Sequence, residues 1–260
     1  MAHRQRLLRV AVSAMPVDSY DSRGPADDVL TARELYRFYR AGEEETLALR
    51  GVSLTVRRGE TVAVVGPSGA GKSTLLACLA GLDEPSGGEV HVSGIRISHR
   101  PEAERARLRA RHIGVLLQTR NLLPHLNVLD NVRLPQRAQG RRAPVPAQTL
   151  LAQVGLAGRA RALPRQLSGG ELARAGLAVA LANAPAVLLA DEPTGELDGE
   201  TEQLVLSLLR ERAAEGCAVL LVTHSAEAVR VADRVITLTD GRATGAPPPN
   251  DREEAHDVVG

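Results

Sequence analysis

The only lysine of the chain, Lys72, lies in the run Gly66-Pro67-Ser68-Gly69-Ala70-Gly71-Lys72-Ser73-Thr74, and every other basic side chain apart from histidine is arginine. The run fits G-x-x-x-x-G-K-[ST], follows the apolar segment Thr61 to Val65 and opens a helical segment through Leu75 to Leu79. Its chemistry is phosphate binding. Glycines let backbone N–H groups converge on phosphate oxygens, and the helix start adds partial positive charge. Lys72 supplies a compact ammonium for β and γ phosphates that arginine's planar fork would not replace inside a closed loop. The Ser73 hydroxyl is placed to ligate Mg²⁺.

A second constellation is Val187-Leu188-Leu189-Ala190-Asp191-Glu192, an apolar strand pattern ending in adjacent carboxylates. Such a pair is costly at a sheet unless it meets a cation or water. Beside a phosphate loop both have a use: Asp191 would hold Mg²⁺ through its water shell, and Glu192 would take the proton of a water attacking the γ-phosphate.

These groups must be positioned, and the surrounding chain has the elements to do it. Runs rich in Val, Ile and Leu alternate with longer segments of helical spacing, the pattern of a parallel sheet flanked by helices. The predicted strands are Val52 to Val56, Thr61 to Val65, Val90 to Ile97, Ile113 to Leu117, Val187 to Ala190, Ala218 to Thr223 and Arg234 to Thr239. Thr119 to Arg165 is different: it holds Pro124, Pro135, Pro144, Pro146 and Pro164, several arginines and no buried-strand signal, and is read as a helical insert. Residues 1–27 and 243–260 have neither motif nor periodicity and are expected to be mobile tails.

Phosphate loop and carboxylate pair alone admit many nucleotide enzymes. Leu167-Ser168-Gly169-Gly170-Glu171 narrows them, since Ser168 can cap a helix whose first residues, Gly169 and Gly170, bare their N–H groups as a second anion site. This segment resembles the signature of the ATP-binding cassette (ABC) family, and the resemblance covers about residues 28–242. It implies a P-loop NTPase (RecA-like) α/β core with an antiparallel β subdomain and a helical subdomain at about 119–180. It implies ATP and Mg²⁺ as cofactors, ATP hydrolysis as the activity, and a head-to-tail dimer with a second copy of itself or a related cassette, in which Ser168, Gly169 and Gly170 of one subunit meet the γ-phosphate held by the other. Gln118 matches the family's glutamine that joins Mg²⁺ and attacking water to the helical subdomain, His224 its γ-phosphate histidine, Asp198 in Gly195-Glu196-Leu197-Asp198 its interface-crossing loop, and Tyr39 its adenine-stacking aromatic. Tyr36 and Phe38 share one strand parity and are expected in the core.

Within the family, Thr46 to Glu60, Leu75 to Val90 and Leu122 to Val132 look most like ATPases of lipoprotein-releasing and macrolide-export systems. The resemblance then implies a separate membrane permease as partner, a place on the inner face of the cell membrane, and export or extraction of a lipophilic substrate or lipoprotein. A regulatory cassette that gates a membrane-bound cell-wall or division complex stays open as the alternative. Departures from the pattern are Glu171 for glutamine, Leu172 and Ala173 for polar residues, Val179 for arginine, and a glycine at 176 that costs about 1 kcal/mol in a helix relative to alanine. They bear on dimer closure and turnover.

Composition excludes other classes. With 32 basic and 31 acidic side chains the net charge is +1, unlike a surface built to neutralise many nucleic-acid phosphates. The apolar patch from Leu7 to Met15 is broken by Arg9 and does not read as a secretion signal. No apolar run approaches the ~20 residues of a membrane span. Cys78 and Cys217 sit in or beside apolar runs and read as reduced core residues. Arginines at 105, 107, 109 and 111 follow Glu102 and Glu104 in one charged segment, which reads as a solvated helix face.

Overall fold

The computed structural model describes residues 27–41, 44–119, 121–140 and 142–245. Most of both expected tails therefore lies outside the described residues. Strands β3 (Thr61–Val65), β6 (Ile113–Leu116), β7 (Val187–Asp191), β8 (Ala218–Val222) and β9 (Arg234–Thr239) form a parallel sheet in the order β9-β3-β8-β7-β6, with β10 (Arg242–Thr244) antiparallel on its edge. A second, antiparallel sheet runs β2 (Glu44–Arg57), β1 (Asp28–Ala41), β4 (Gly87–Val92), β5 (Ile95–Arg96).

The central strands are apolar on both faces because both are covered. Val187, Leu189, Leu220 and Val222 join the core shared with the antiparallel sheet and with helix α1 (Lys72–Leu79). Their alternates Leu188, Ala190, Val219 and Leu221 join a second core. That core is roofed by α3 (Val128–Ala138), α4 (Ala147–Gln153), α5 (Gly169–Ala180) and α6 (Gly199–Ala214). Two further helices are α2 (Glu102–His112) before β6 and α7 (Ala226–Val231) after β8.

Four expectations change. The strand expected over Val90 to Ile97 is two, because Ser93 and Gly94 both take positive φ and turn the chain between β4 and β5. Ala243 and Thr244, expected in the tail, pair with Leu238 and Thr237. Phe38 is not a core residue: it is 45% exposed, and Tyr36 only half-buried, because register shifts on either side of Leu35 and after Arg37 break the simple alternation. Arg105 and Arg109 are not fully solvated, since on α2 they fold back onto Glu84, Glu102 and the Gly81 carbonyl, while Arg107 and Arg111 are exposed.

The glycine inside α5 has a packing reason. A Cβ on Gly176 would sit 2.8 Å from Asn121 Cβ and 3.0 Å from Leu116 Cδ1, so the missing side chain lets α5 lie against the end of β6 and the loop that follows. That loop is tied down. Asn121 donates to the Leu117 carbonyl and accepts from its N–H, and the buried Asn131 amide of α3 bonds the backbone of Leu123, Leu126 and Asn127.

Candidate nucleotide-binding site

The C-terminal ends of β3, β7 and β8 open on a cleft of about 1040 Å³, the usual position for a ligand in a parallel α/β sheet. Its floor is the loop between β3 and α1. The N–H of Ala70 bonds the Pro67 carbonyl, and Gly71, with φ 99°, caps α1. No side chain fits at two of its corners: a Cβ on Gly66 would lie 2.0 Å from the Leu238 carbonyl oxygen, and one on Gly71 2.5 Å from that of Ala48. The loop is thus pressed between β10's neighbour β9 and the antiparallel sheet. Lys72 is 8% exposed, and its ammonium donates to the carbonyls of Gly66 and Pro67 at 2.8 and 3.0 Å. The cation is therefore held across the loop's mouth by two weak neutral acceptors that a phosphate's charge would displace.

Facing the loop, β7 delivers Asp191 and Glu192. Burial raises the Asp191 carboxyl above the ordinary carboxylate range and the Glu192 charge adds to this, while the Ser73 hydroxyl and Lys72 oppose it. Glu192 has φ 46°, a left-handed conformation that a side chain adopts at a cost of about 1–3 kcal/mol. It is secured by its own N–H to the Val222 carbonyl at 2.8 Å and by the His224 N–H, which donates to Oε2 at 3.2 Å. The His224 ring stands 3.5 Å from Oε1.

The structure brings Tyr39, Ser68, Gly69, Gly71, Lys72, Ser73, Thr74, Gln118, Asp191, Glu192 and His224 to the one cleft, with Gly66, Pro67 and Ala70 completing its loop. Gln118 lies two residues beyond β6 and borders this cleft and a smaller one beside α5. Ser168, Gly170 and Asp198 do not line the cleft, and Gly169 lines only the smaller one. Ser168 caps α5 as expected: its hydroxyl accepts the Glu171 N–H while the Glu171 carboxylate accepts the Ser168 N–H. Glu171 is engaged further by Arg159 at 2.8 Å. Asp198 caps α6, accepting the Thr201 N–H at 2.9 Å. A Cβ on Gly170 would strike Thr201 Cγ2 at 2.4 Å, so the two helix starts are packed together.

Sequence reasoning missed Glu202. One of its oxygens accepts from both Thr194, on the loop after Glu192, and Ser225, the neighbour of His224. Nothing in the sequence marks it, because the pairing is made only by the fold. Asp83 and Arg37, which hold Tyr39, were missed for the same reason.

The family profile described as "ABC transporter" matches residues 49–195. The chain is 43% identical over 220 residues to the lipoprotein-releasing system ATP-binding protein LolD of Zymomonas mobilis, covering 83% of this chain and 95% of LolD. The chain belongs to the ABC transporter family. It is an ATP-binding cassette ATPase with the P-loop core and antiparallel β subdomain that its sequence implied. It is also 45% identical over 213 residues to the macrolide export ATP-binding/permease protein MacB of Rhodopirellula baltica, covering 80% of this chain but spanning only 31% of that longer protein. The ATP-binding cassette MJ0796, solved as a dimer in a post-hydrolysis state with ADP and Pi, superposes with a TM-score of 0.77 at 35% identity, covering 84% of this cassette and 99% of that chain. Among the described residues no helix of the cassette is long and apolar enough to cross a membrane.

Proposed function

We propose that this cassette binds Mg-ATP in the cleft, closes on a second copy of itself, and by hydrolysis drives a separate membrane permease that exports or extracts a lipophilic substrate or lipoprotein. The observation that carries the ATPase part is the division of the anion-binding groups. Lys72, Ser73, Asp191, Glu192 and His224 converge on one cleft, whereas the helix start at Ser168, Gly169 and Gly170 lies outside it, with open space where a Cβ on Gly169 would sit. A second copy is the natural source of the missing wall, and the similar cassette MJ0796 was solved as a dimer.

In this reading Tyr39 stacks on adenine, and the loop N–H groups with Lys72 grip the phosphates. Ser73, Gln118 and Asp191 bring hydroxyl, amide and carboxylate oxygens to the one cleft, a donor set that suits Mg²⁺, which takes one or two carboxylates and leaves the rest to water and phosphate. When bound, the ion neutralises charge on the β and γ phosphates. Glu192 accepts the proton of the attacking water, with the His224 N–H fixing the other face of its carboxylate. Asp198 lies on the loop that would cross to the second copy. The helical insert, about 119–180, would pass closure to the permease through the loop that Asn121 and Asn131 hold.

The likeness to LolD and MacB supports a lipoprotein or lipophilic cargo and a permease partner, which would hold the cassette at the inner membrane face. The test is reconstitution of the cassette with its co-purifying membrane protein in proteoliposomes, scored for ATP-dependent release of an acylated lipoprotein and efflux of a macrolide-like probe. Stimulated hydrolysis without movement of either would favour the gating role instead.

A further inference from the structure

We propose that Asp83 and Arg37 are positioning residues that fix Tyr39 as a pre-built base platform, so that recognition of the adenine end of ATP depends on three side chains and not on one aromatic. The proposal rests on the ATP reading above and adds to it the means by which that ring is held.

Tyr39 lies near the end of β1 and is 39% exposed. An aromatic so placed has several rotamers open to it, and stacking on a base would have to freeze one at an entropic cost. Here the cost is met in advance. The Tyr39 hydroxyl donates to Asp83 Oδ2 at 2.7 Å, and the Arg37 guanidinium centre lies 4.6 Å from the ring centroid. Arg37 is itself locked by a two-point fork to the same carboxylate, Nε to Oδ2 at 2.8 Å and a terminal nitrogen to Oδ1 at 2.7 Å. The Glu84 N–H fills the remaining position on Oδ1 at 2.9 Å. Burial alone would raise the Asp83 carboxyl, but the donors from Tyr39 and Arg37 hold it below the ordinary carboxylate range.

Of these three side chains, the Tyr39 ring alone lines the cleft. Its polar edge is taken by Asp83, and a cation covers one side. The other side is what the cleft can use, next to Thr46, Leu47 and Ala48. Asp83 comes from the loop after α1, the helix that carries the phosphate loop's lysine, and its N–H bonds the Ala77 carbonyl at 3.1 Å. The base platform and the phosphate grip are thus set at a fixed distance by one helix.

The test is calorimetric binding of Mg-ATP and of Mg-tripolyphosphate, which has the phosphates and no base, to the full chain and its variants. Asp83→Ala and Arg37→Gln should weaken ATP by about three- to tenfold, the worth of a lost cation–π support and ring tether, and leave tripolyphosphate within about twofold. Tyr39→Phe keeps the ring and the cation and loses the tether, so its loss should be smaller than that of Asp83→Ala. Unchanged ATP affinity in both Asp83→Ala and Arg37→Gln overturns the proposal, as does an equal loss for ATP and tripolyphosphate, which would place the effect in the phosphate loop or the fold. Lys72→Ala separates the two readings: it should weaken both ligands, and if it weakens neither, the ATP reading falls and takes the platform with it.

Discussion

Glu192 and His224 are joined through the backbone: the His224 N–H donates to Glu192 Oε2 at 3.2 Å, while the imidazole stands 3.5 Å from Oε1. A side chain change at 224 keeps the backbone donor. His224→Ala should therefore leave Glu192 oriented and ATP bound, yet lower phosphate release by about 10²-fold or more through loss of a polar group at the γ-phosphate. The check is calorimetry beside a phosphate-release assay. Loss of binding equal to the loss of rate would show that the ring supports the cleft and not the chemistry.

Glu202 bridges the two loops that carry those residues, accepting from Thr194 and Ser225. Glu202→Ala leaves both hydroxyls without their acceptor and frees the loops to move independently. Turnover should fall by about tenfold with KM little changed, since misplacement of reacting groups acts on kcat. A steady-state titration of ATP measures the split, and a rise in KM alone would refute it.

Gly176→Ala sets two effects against each other. Alanine gains about 1 kcal/mol of helix propensity. The added methyl must also fit where Asn121 Cβ would lie 2.8 Å away and Leu116 Cδ1 3.0 Å, and overpacking costs about 1–3 kcal/mol. The contacts include a tightly bonded loop side chain, so the clash should prevail and the variant should unfold at lower urea. Stabilisation would mean that the Asn121 loop gives way freely.

How much of this was legible in the sequence depended on whether the signal was local. The phosphate loop, the strand before it and the strand that ends in Asp191 announce themselves by periodicity and by residues at fixed offsets. The first strand did not: its charged residues and its register shifts after Ala32, Leu35 and Arg37 break the period-two pattern. Asn121 and Asn131 were silent because they bond backbone four to eight residues away in a loop with no periodic pattern to mark them, whereas Glu202 and Asp83 accept from side chains that only folding brings near. The same holds for Gly176, whose apparent propensity cost becomes a packing requirement once Asn121 is beside it.

The thiols should be inert in the folded cassette. Burial pushes Cys78 up to about 12 and Cys217 up to about 11. At pH 8 the thiolate fraction of either is then about one in a thousand or less, against roughly one in four for a free cysteine. Iodoacetamide labelling followed by mass spectrometry should be slow at pH 8 and accelerate only with urea or at pH above 10. Rapid labelling of Cys78 in the native protein would contradict the packing around α1.

Glu192→Gln separates binding from chemistry. The amide keeps the size of the side chain and can still accept the His224 N–H, so its position at the end of β7 should hold. It cannot take the proton of the attacking water, and loss of a general base typically costs roughly 10² to 10⁴ in rate. ATP should still bind, because Lys72, Ser73 and Asp191 are untouched. With hydrolysis that slow the γ-phosphate persists and can be shared with Ser168, Gly169 and Gly170 of a second chain, whose helix start lies outside the cleft of its own copy. The variant should then accumulate as an ATP-dependent dimer, seen by light scattering after size exclusion with and without Mg-ATP. Adding Ser168→Arg should abolish the dimer, because the bulky side chain replaces the hydroxyl that caps α5 and fills the space above its first N–H groups. Hydrolysis at the wild-type rate would remove Glu192 as the base. A Glu192→Gln protein that binds ATP and stays monomeric at high concentration would show instead either that Glu171, held by Arg159 and the Ser168 N–H, and Val179 have weakened the interface, or that dimerisation requires the membrane partner.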